Sequence, residues 1–73
     1  MGEFFVLKVT VIFRKGSPVC YYIKHNFAGP FNTKEEAQAI AATENDTRSK
    51  RNENNWIFQV GSREEIGATG VIL

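Results

Sequence analysis

Residues able to carry redox or metal chemistry are scarce in this sequence. Its 73 residues include one cysteine, Cys20, and one histidine, His25. An internal disulfide is therefore excluded, and no cluster of Cys, His or carboxylate residues has the spacing that a metal site needs. Because a lone cysteine is typical of a reducing compartment, we expect a cytoplasmic protein that holds no metal or other cofactor.

An excess of charge and a long apolar run are also missing. Nine Lys and Arg residues oppose eight Asp and Glu residues, which leaves a net charge of +1. No global field then draws the chain to nucleic acid or to an acidic membrane. The apolar run over residues 4–13 is interrupted by Lys8, is too short to cross a bilayer and lacks the flanks of a signal peptide. We therefore expect neither a signal peptide nor membrane association.

The first third of the chain predicts a β-hairpin. All odd-numbered residues of 5–13 are apolar, whereas the even-numbered ones include polar residues. This alternation is typical of a strand with one buried face. Turn-forming residues fill 14–18, and a second strand is expected over 19–27. If Phe13 pairs with Val19, the apolar residues of both strands share a face, so we expect the odd-numbered face of the first strand to be the core.

A helix and a third strand complete the predicted fold. Thr33 and Glu36 are spaced as a capping box, and apolar residues follow at helical spacing, so we expect a helix from Thr33 to about Thr47. Residues 56–60 alternate as a third strand, which a right-handed crossover places beside the first. The sequence therefore predicts an α+β fold of order ββαβ, with a three-stranded antiparallel sheet in the order 2-1-3 and one helix on one face.

Residues 62–73 are predicted to extend a single domain formed by residues 1–61. Residues 62–65 have the composition of one short helical turn. The glycine-containing stretch that ends in Val71-Ile72-Leu73 fits either a flexible tail or a short added strand. The sequence alone leaves these two alternatives open.

One segment resembles a known family. Gly29-Pro30-Phe31 has the composition of a turn, and a short polar spacer separates it from a Glu-Ala helix start at Glu36-Ala37. This segment, from Gly29 to Ala37, resembles the strand-to-helix element of SPOR domains. Such domains have two βα halves that together bind septal peptidoglycan, so the resemblance implies glycan binding. It covers only the latter half of such a domain, because a hairpin stands where the first half would be.

The residues that could act in catalysis do not form a site in this prediction. Cys20 and His25 are five positions apart on a strand, so their side chains point to opposite faces. The paired carboxylates Glu35-Glu36 and Glu64-Glu65 stand at predicted helix starts, where negative charge is stabilising. We therefore predict a protein without enzymatic activity.

The sheet face away from the helix is expected to stay open, and its apolar residues predict a contact surface. Exposed apolar patches usually mark interfaces. A domain of this size is stabilised by only about 3–5 kcal/mol, so a partner would supplement its small core. We predict a small interaction or regulatory module, of the bacterial or phage accessory type, whose partner is another protein or a second copy. The residues predicted to bind this partner are Phe4, Val6, Ile12, Tyr22 and Ile57.

Single-stranded nucleic acid is the alternative partner. A sheet face can stack bases on aromatic side chains, and positive charge attracts the phosphates. The same open face would carry such groups, with two further basic residues at the tip of the hairpin. The residues predicted to contact nucleic acid are Lys8, Arg14, Lys15, Tyr22 and Lys24.

Overall fold

A computed structural model of the protein describes residues 2–52 and 55–72. It shows an α+β fold with one helix and an antiparallel sheet of four strands in the order β3-β1-β2-β4. The elements in chain order are β1 (Phe4–Phe13), β2 (Cys20–Phe31), α1 (Lys34–Lys50), β3 (Trp56–Gly61) and β4 (Thr69–Ile72), with a single 3-10 turn at Arg63–Glu65. The predicted order of the first three strands is found within this sheet.

The fourth strand corrects the predicted count of three. Of the two alternatives for the C-terminal stretch, the structure has the added strand, which pairs with residues 20–23 at the outer edge of β2. Gly70 permits this pairing, because a β-carbon at that position would collide with the ring of Tyr22, which lies across β4. An aromatic ring that covers a strand glycine compensates for the missing side chain and strengthens the strand.

The pairing of β1 with β2 differs from the prediction by one residue. Phe13 pairs with Cys20 and not with Val19. The turn is therefore one residue longer than expected, and Gly16 adopts a φ of 83° within it, a conformation that glycine takes without strain. A slip of one residue exchanges the faces on which the side chains of a strand lie. The predicted grouping of apolar residues on one face is wrong for this reason.

The face that packs against α1 is the even-numbered face of β1, which corrects the prediction that the odd-numbered face does so. Val6 is fully buried there with Ala37, Ala41 and Phe58. We call this the helix face. The two buried alanines lie one helical turn apart, so they let α1 approach the sheet closely.

The odd-numbered face of β1 is buried as well, by a segment that the prediction left outside the domain. Because β3 and β4 lie at opposite edges of the sheet, the connection over residues 62–68 has to cross a face. The guanidinium carbon of Arg63 lies 5.3 Å from the centre of the Phe5 ring, which places the connection on the odd-numbered face. We call this the strap face, and Phe5, Leu7 and Val9 are buried there. A strand buried on both faces has a continuous apolar sequence, as β1 has near its start.

The helix begins as predicted and ends later. The Thr33 side chain accepts a hydrogen bond from the Glu36 backbone N–H at 3.2 Å, so the predicted N-cap is confirmed. The helix continues beyond Thr47 to Lys50, where an ion pair of 3.0 Å links Lys50 to Asp46. Basic side chains in the last turn are favoured by the negative end of the helix dipole, which supports the additional turn.

The molecule is elongated for its length. Its extents are 44 × 29 × 15 Å and its radius of gyration is 13.1 Å, whereas a compact chain of this length has a radius of about 11 Å. The sheet runs beyond the last pairing of β3 with β1, which is Trp56 with Thr10. We call the part beyond it the distal sheet, and it consists of residues 11–13, residues 20–23 and β4.

Candidate interaction surface

Two rows of directly paired apolar side chains cross the distal sheet. On the helix face, Ile12 pairs with Tyr21 and Tyr21 pairs with Val71. These three residues, which we call the helix-face row, are 47%, 36% and 50% exposed. Residues that pair directly across strands have side chains in contact on one face. The row is therefore a continuous apolar strip that α1 does not cover.

A second row lies directly behind the first. On the strap face, Phe13 pairs with Cys20 and Cys20 pairs with Ile72, and we call these three residues the strap-face row. Phe13 is 65% exposed and Ile72 is 44% exposed, while Cys20 is half-buried with a free thiol. The distal sheet is thus apolar and exposed on both of its faces, which is unfavourable for a surface in water.

The five residues predicted to bind a partner lie on different faces. Phe4, Val6 and Ile12 occupy the helix face, whereas Tyr22 and Ile57 occupy the strap face. Val6 is fully buried and Phe4 packs partly against the same core. Ile12 and Ile57 are about half exposed, and the Tyr22 ring covers Gly70. The structure therefore does not bring these five residues together, because the predicted open face depended on the incorrect register.

The five residues predicted to contact nucleic acid are divided in the same way. Lys8 lies on the helix face with its ammonium 4.5 Å from the centre of the Trp56 ring. Lys24 lies on the strap face, where an ion pair of 3.1 Å joins it to Glu65. Tyr22 shares that face, while Arg14 and Lys15 are exposed in the turn between β1 and β2. The guanidinium carbon of Arg14 lies 5.7 Å from the centre of the Tyr21 ring, on the helix face.

The sequence analysis missed Asn45, which closes one edge of the sheet. Its side-chain amide donates to the Phe58 C=O and accepts from the Phe58 N–H, both at 2.8 Å. A strand edge that is paired in this way offers no free backbone groups at that residue. The available signal was the residue type, because asparagine is unfavourable in a helix interior unless its side chain has a specific partner.

Glu65 fastens the connection over residues 62–68 to the sheet. Its carboxylate accepts hydrogen bonds from the Ser62 backbone N–H at 3.2 Å and from the Lys24 side chain at 3.1 Å. The pKa of Glu65 is held below its ordinary value mainly by the hydrogen bond from the Ser62 backbone, and to a smaller extent by the hydrogen bond from Lys24. Both bonds stabilise the ionised form, and the bond from Lys24 joins the connection to β2.

The substitution Glu65→Gln is expected to change how stability depends on pH. Because the pKa of Glu65 is lower in the folded chain, its ionised form stabilises the fold above the ordinary pKa of glutamate, about 4.3. This contribution is lost as the pH falls through the lower, folded-state pKa. The free energy of unfolding can be measured with urea from about pH 7 to pH 3. Below about pH 5 it should fall more steeply for wild type than for Glu65→Gln.

The matched control for this measurement is Glu64→Gln. Glu64 is the exposed neighbour of Glu65, so its replacement removes one carboxyl group and leaves the bond to Lys24 intact. The free energy of unfolding of Glu64→Gln should fall with pH as steeply as that of wild type. If the stability of both variants depended on pH in the same way, Glu65 would not be the residue that fastens the connection to the sheet.

A groove lies at the end of the sheet opposite the distal sheet. Its volume is about 640 Å³, and its lining includes Glu3, Lys34, Arg63 and Glu64. Charges of both signs are therefore present around it. In residues 2–52 and 55–72 no group of three or more His, Cys, Asp or Glu residues could hold a metal ion.

Comparison with known proteins assigns no family to the chain. No protein-family model matches it, and no curated protein or solved structure shows significant similarity to it. Across the described part of the chain, no helix is both long enough and apolar enough to span a membrane.

Proposed function

We propose that this protein is a small, non-enzymatic interaction module that binds a partner protein through its distal sheet. The observation that carries the proposal is the pair of apolar rows on opposite faces of one thin end of the molecule. Exposed apolar patches that remain contiguous across several residues usually mark contact sites. A partner that covers both rows would remove more apolar surface from water than a partner that covers one face.

The placement of the reactive residues supports a role without catalysis. Cys20 lies on the strap face and His25 on the helix face, so the two side chains do not meet. The carboxylate of Glu65 is engaged with Ser62 and Lys24 and serves the fold. The free thiol of Cys20 suits a reducing compartment, and we place the protein in the cytoplasm on that basis.

The proposal predicts that Ile12→Lys reduces partner binding and leaves the domain folded. Ile12 is half exposed, so its replacement removes little core volume, but it places a charge inside a desolvated contact. Binding should weaken about tenfold or more, which corresponds to about 1.4 kcal/mol. The measurement is quantitative co-purification of the tagged, full chain with its partner from the organism that encodes it.

The matched control is Gln38→Lys, which adds the same charge at an exposed position of α1 far from the distal sheet. This variant should recover as much partner as wild type. Equal recovery by Ile12→Lys and wild type, or an equal loss in both variants, would contradict the assignment of binding to the distal sheet.

Single-stranded nucleic acid is a second candidate partner, because basic side chains lie over two aromatic rings of the helix face. Lys8 lies over Trp56, and Arg14 lies over Tyr21. Stacking bases on aromatic rings amid positive charge is the usual mode of single-strand binding. The variant Ile12→Lys separates the two candidates, because added positive charge on this face would strengthen binding to a labelled single strand and weaken binding to a protein.

A further inference from the structure

The two edges of the sheet are protected differently. At the β3 edge, the side chain of Asn45 occupies both backbone groups of Phe58. At the β4 edge, no side chain of the described residues hydrogen-bonds to the strand in this way. An edge strand without a cover is a template for pairing with another strand.

The hydrogen-bond pattern shows which groups of β4 face outward. The Lys24 N–H donates to the Ala68 C=O at 2.9 Å. Hydrogen-bonded pairs alternate along an antiparallel ladder, so Gly70 and Ile72 bond to β2. The backbone N–H and C=O groups of Thr69 and Val71 consequently point away from the sheet. A new strand could pair with these four groups.

The sequence of β4 lacks the charged residues and prolines that commonly prevent such pairing. Its four residues are Thr, Gly, Val and Ile, without a charge or a proline. Exposed edges are usually blocked by lysine, by proline or by a bulge. The pairing of β4 with β2 over Thr69 to Ile72 is also regular, so no bulge interrupts this strand.

We propose that β4 pairs in antiparallel orientation with the β4 strand of a second copy of this chain. This inference goes beyond the proposed function, because it uses the outward backbone groups of Thr69 and Val71 and leaves the two apolar rows available to a partner protein. A strand that pairs with its own copy in antiparallel orientation satisfies twofold symmetry, so both copies use the same surface. The result is a continuous sheet of eight strands. The Val71 side chains of both copies lie on one face of this sheet, and the Ile72 side chains lie on the other.

The test is sedimentation velocity of the full chain and two variants, from low micromolar to submillimolar concentration. Wild type should shift from the 8.2 kDa monomer to twice that mass. Val71→Pro removes an outward N–H that β2 does not use, so it should weaken dimerisation about tenfold or more and leave the monomer folded. Val71→Thr keeps the N–H and the branched shape, and it should dimerise within about threefold of wild type.

Amide hydrogen exchange of wild type provides a second measurement that does not depend on the folding of Val71→Pro. The amides of Thr69 and Val71 should become protected as the concentration rises, while the amide of Gly70 should stay protected throughout. A wild-type chain that remains monomeric at submillimolar concentration would overturn the inference. So would dimerisation that Val71→Pro leaves unchanged.

These outcomes are distinguishable from failure of the proposed function. If wild type is monomeric while Ile12→Lys still loses a co-purified protein, the distal sheet binds a different protein and the second copy is excluded. If wild type dimerises through Val71 while Ile12→Lys has no effect on any binding, the edge inference holds and the assignment of the helix-face row fails.

Discussion

Replacing Val6 by aspartate is expected to unfold the protein, whereas replacing Ile12 by aspartate is expected to leave it folded. Both residues lie on the helix face of β1. Val6 is fully buried against Ala37, Ala41 and Phe58, and Ile12 is 47% exposed. An unpaired carboxylate under the helix costs several kcal/mol, in addition to about 2 kcal/mol of lost valine burial. A domain with about 3–5 kcal/mol of stability does not tolerate this loss.

Circular dichroism during thermal unfolding measures both variants. Val6→Asp should show no cooperative transition at room temperature or above, and Ile12→Asp should melt near wild type. A cooperative transition in Val6→Asp would mean that α1 does not cover this face. Loss of the transition in Ile12→Asp would mean that the helix-face row is part of the core.

Replacing Asn45 by alanine is expected to remove about half of the stability of the fold. The Phe58 N–H and C=O each lose their side-chain partner in a partly buried setting. Each lost bond costs about 1–1.5 kcal/mol, and the better helix propensity of alanine returns about 0.5 kcal/mol. The net loss, about 2 kcal/mol, should lower the unfolding midpoint by about 8–16 °C in a domain of this size.

The control for Asn45→Ala is Asp46→Ala at the next position. Asp46 is exposed and pairs with Lys50 one turn later. Exposed helix pairs of this type contribute about 0.5 kcal/mol or less. A further variant, Asn45→Asp, keeps the acceptor for the Phe58 N–H and loses the donor, so it should lie between the two. Equal midpoints for Asn45→Ala and Asp46→Ala would show that the edge of β3 does not depend on Asn45.

The elements whose signals are local could be predicted from the sequence. The alternation of β1, the Thr33 cap and the strand over residues 56–60 are each determined by neighbouring residues, and each is present in the structure. The pairing register could not be predicted, because a turn of five or of six residues around Gly16 fits the same sequence. The one additional residue in the turn reverses the two faces of β2 relative to β1. The residues expected to share the core face therefore lie on opposite faces of the sheet.

The candidate surface depends on contacts between residues that are distant in the sequence, so it was predicted only in part. Ile12 was identified as exposed, and it is. Tyr21 and Val71 were not, because the helix-face row exists only when the last strand pairs with β2. The start of β1 gave no information about its faces, because both of them are apolar and both are buried. Apolar alternation identifies a core face only where the other face is polar.

The short length of β4 also affects the local stability of the sheet. It has four residues and pairs with β2 alone, whereas β3 has six residues and packs against α1 through Phe58. An edge element with few contacts opens more readily than the rest of a fold. We therefore expect β4 to be the first strand to leave the sheet. Its departure would expose the edge of β2, and a vacated edge can accept the same strand from another molecule, which is the route to domain swapping.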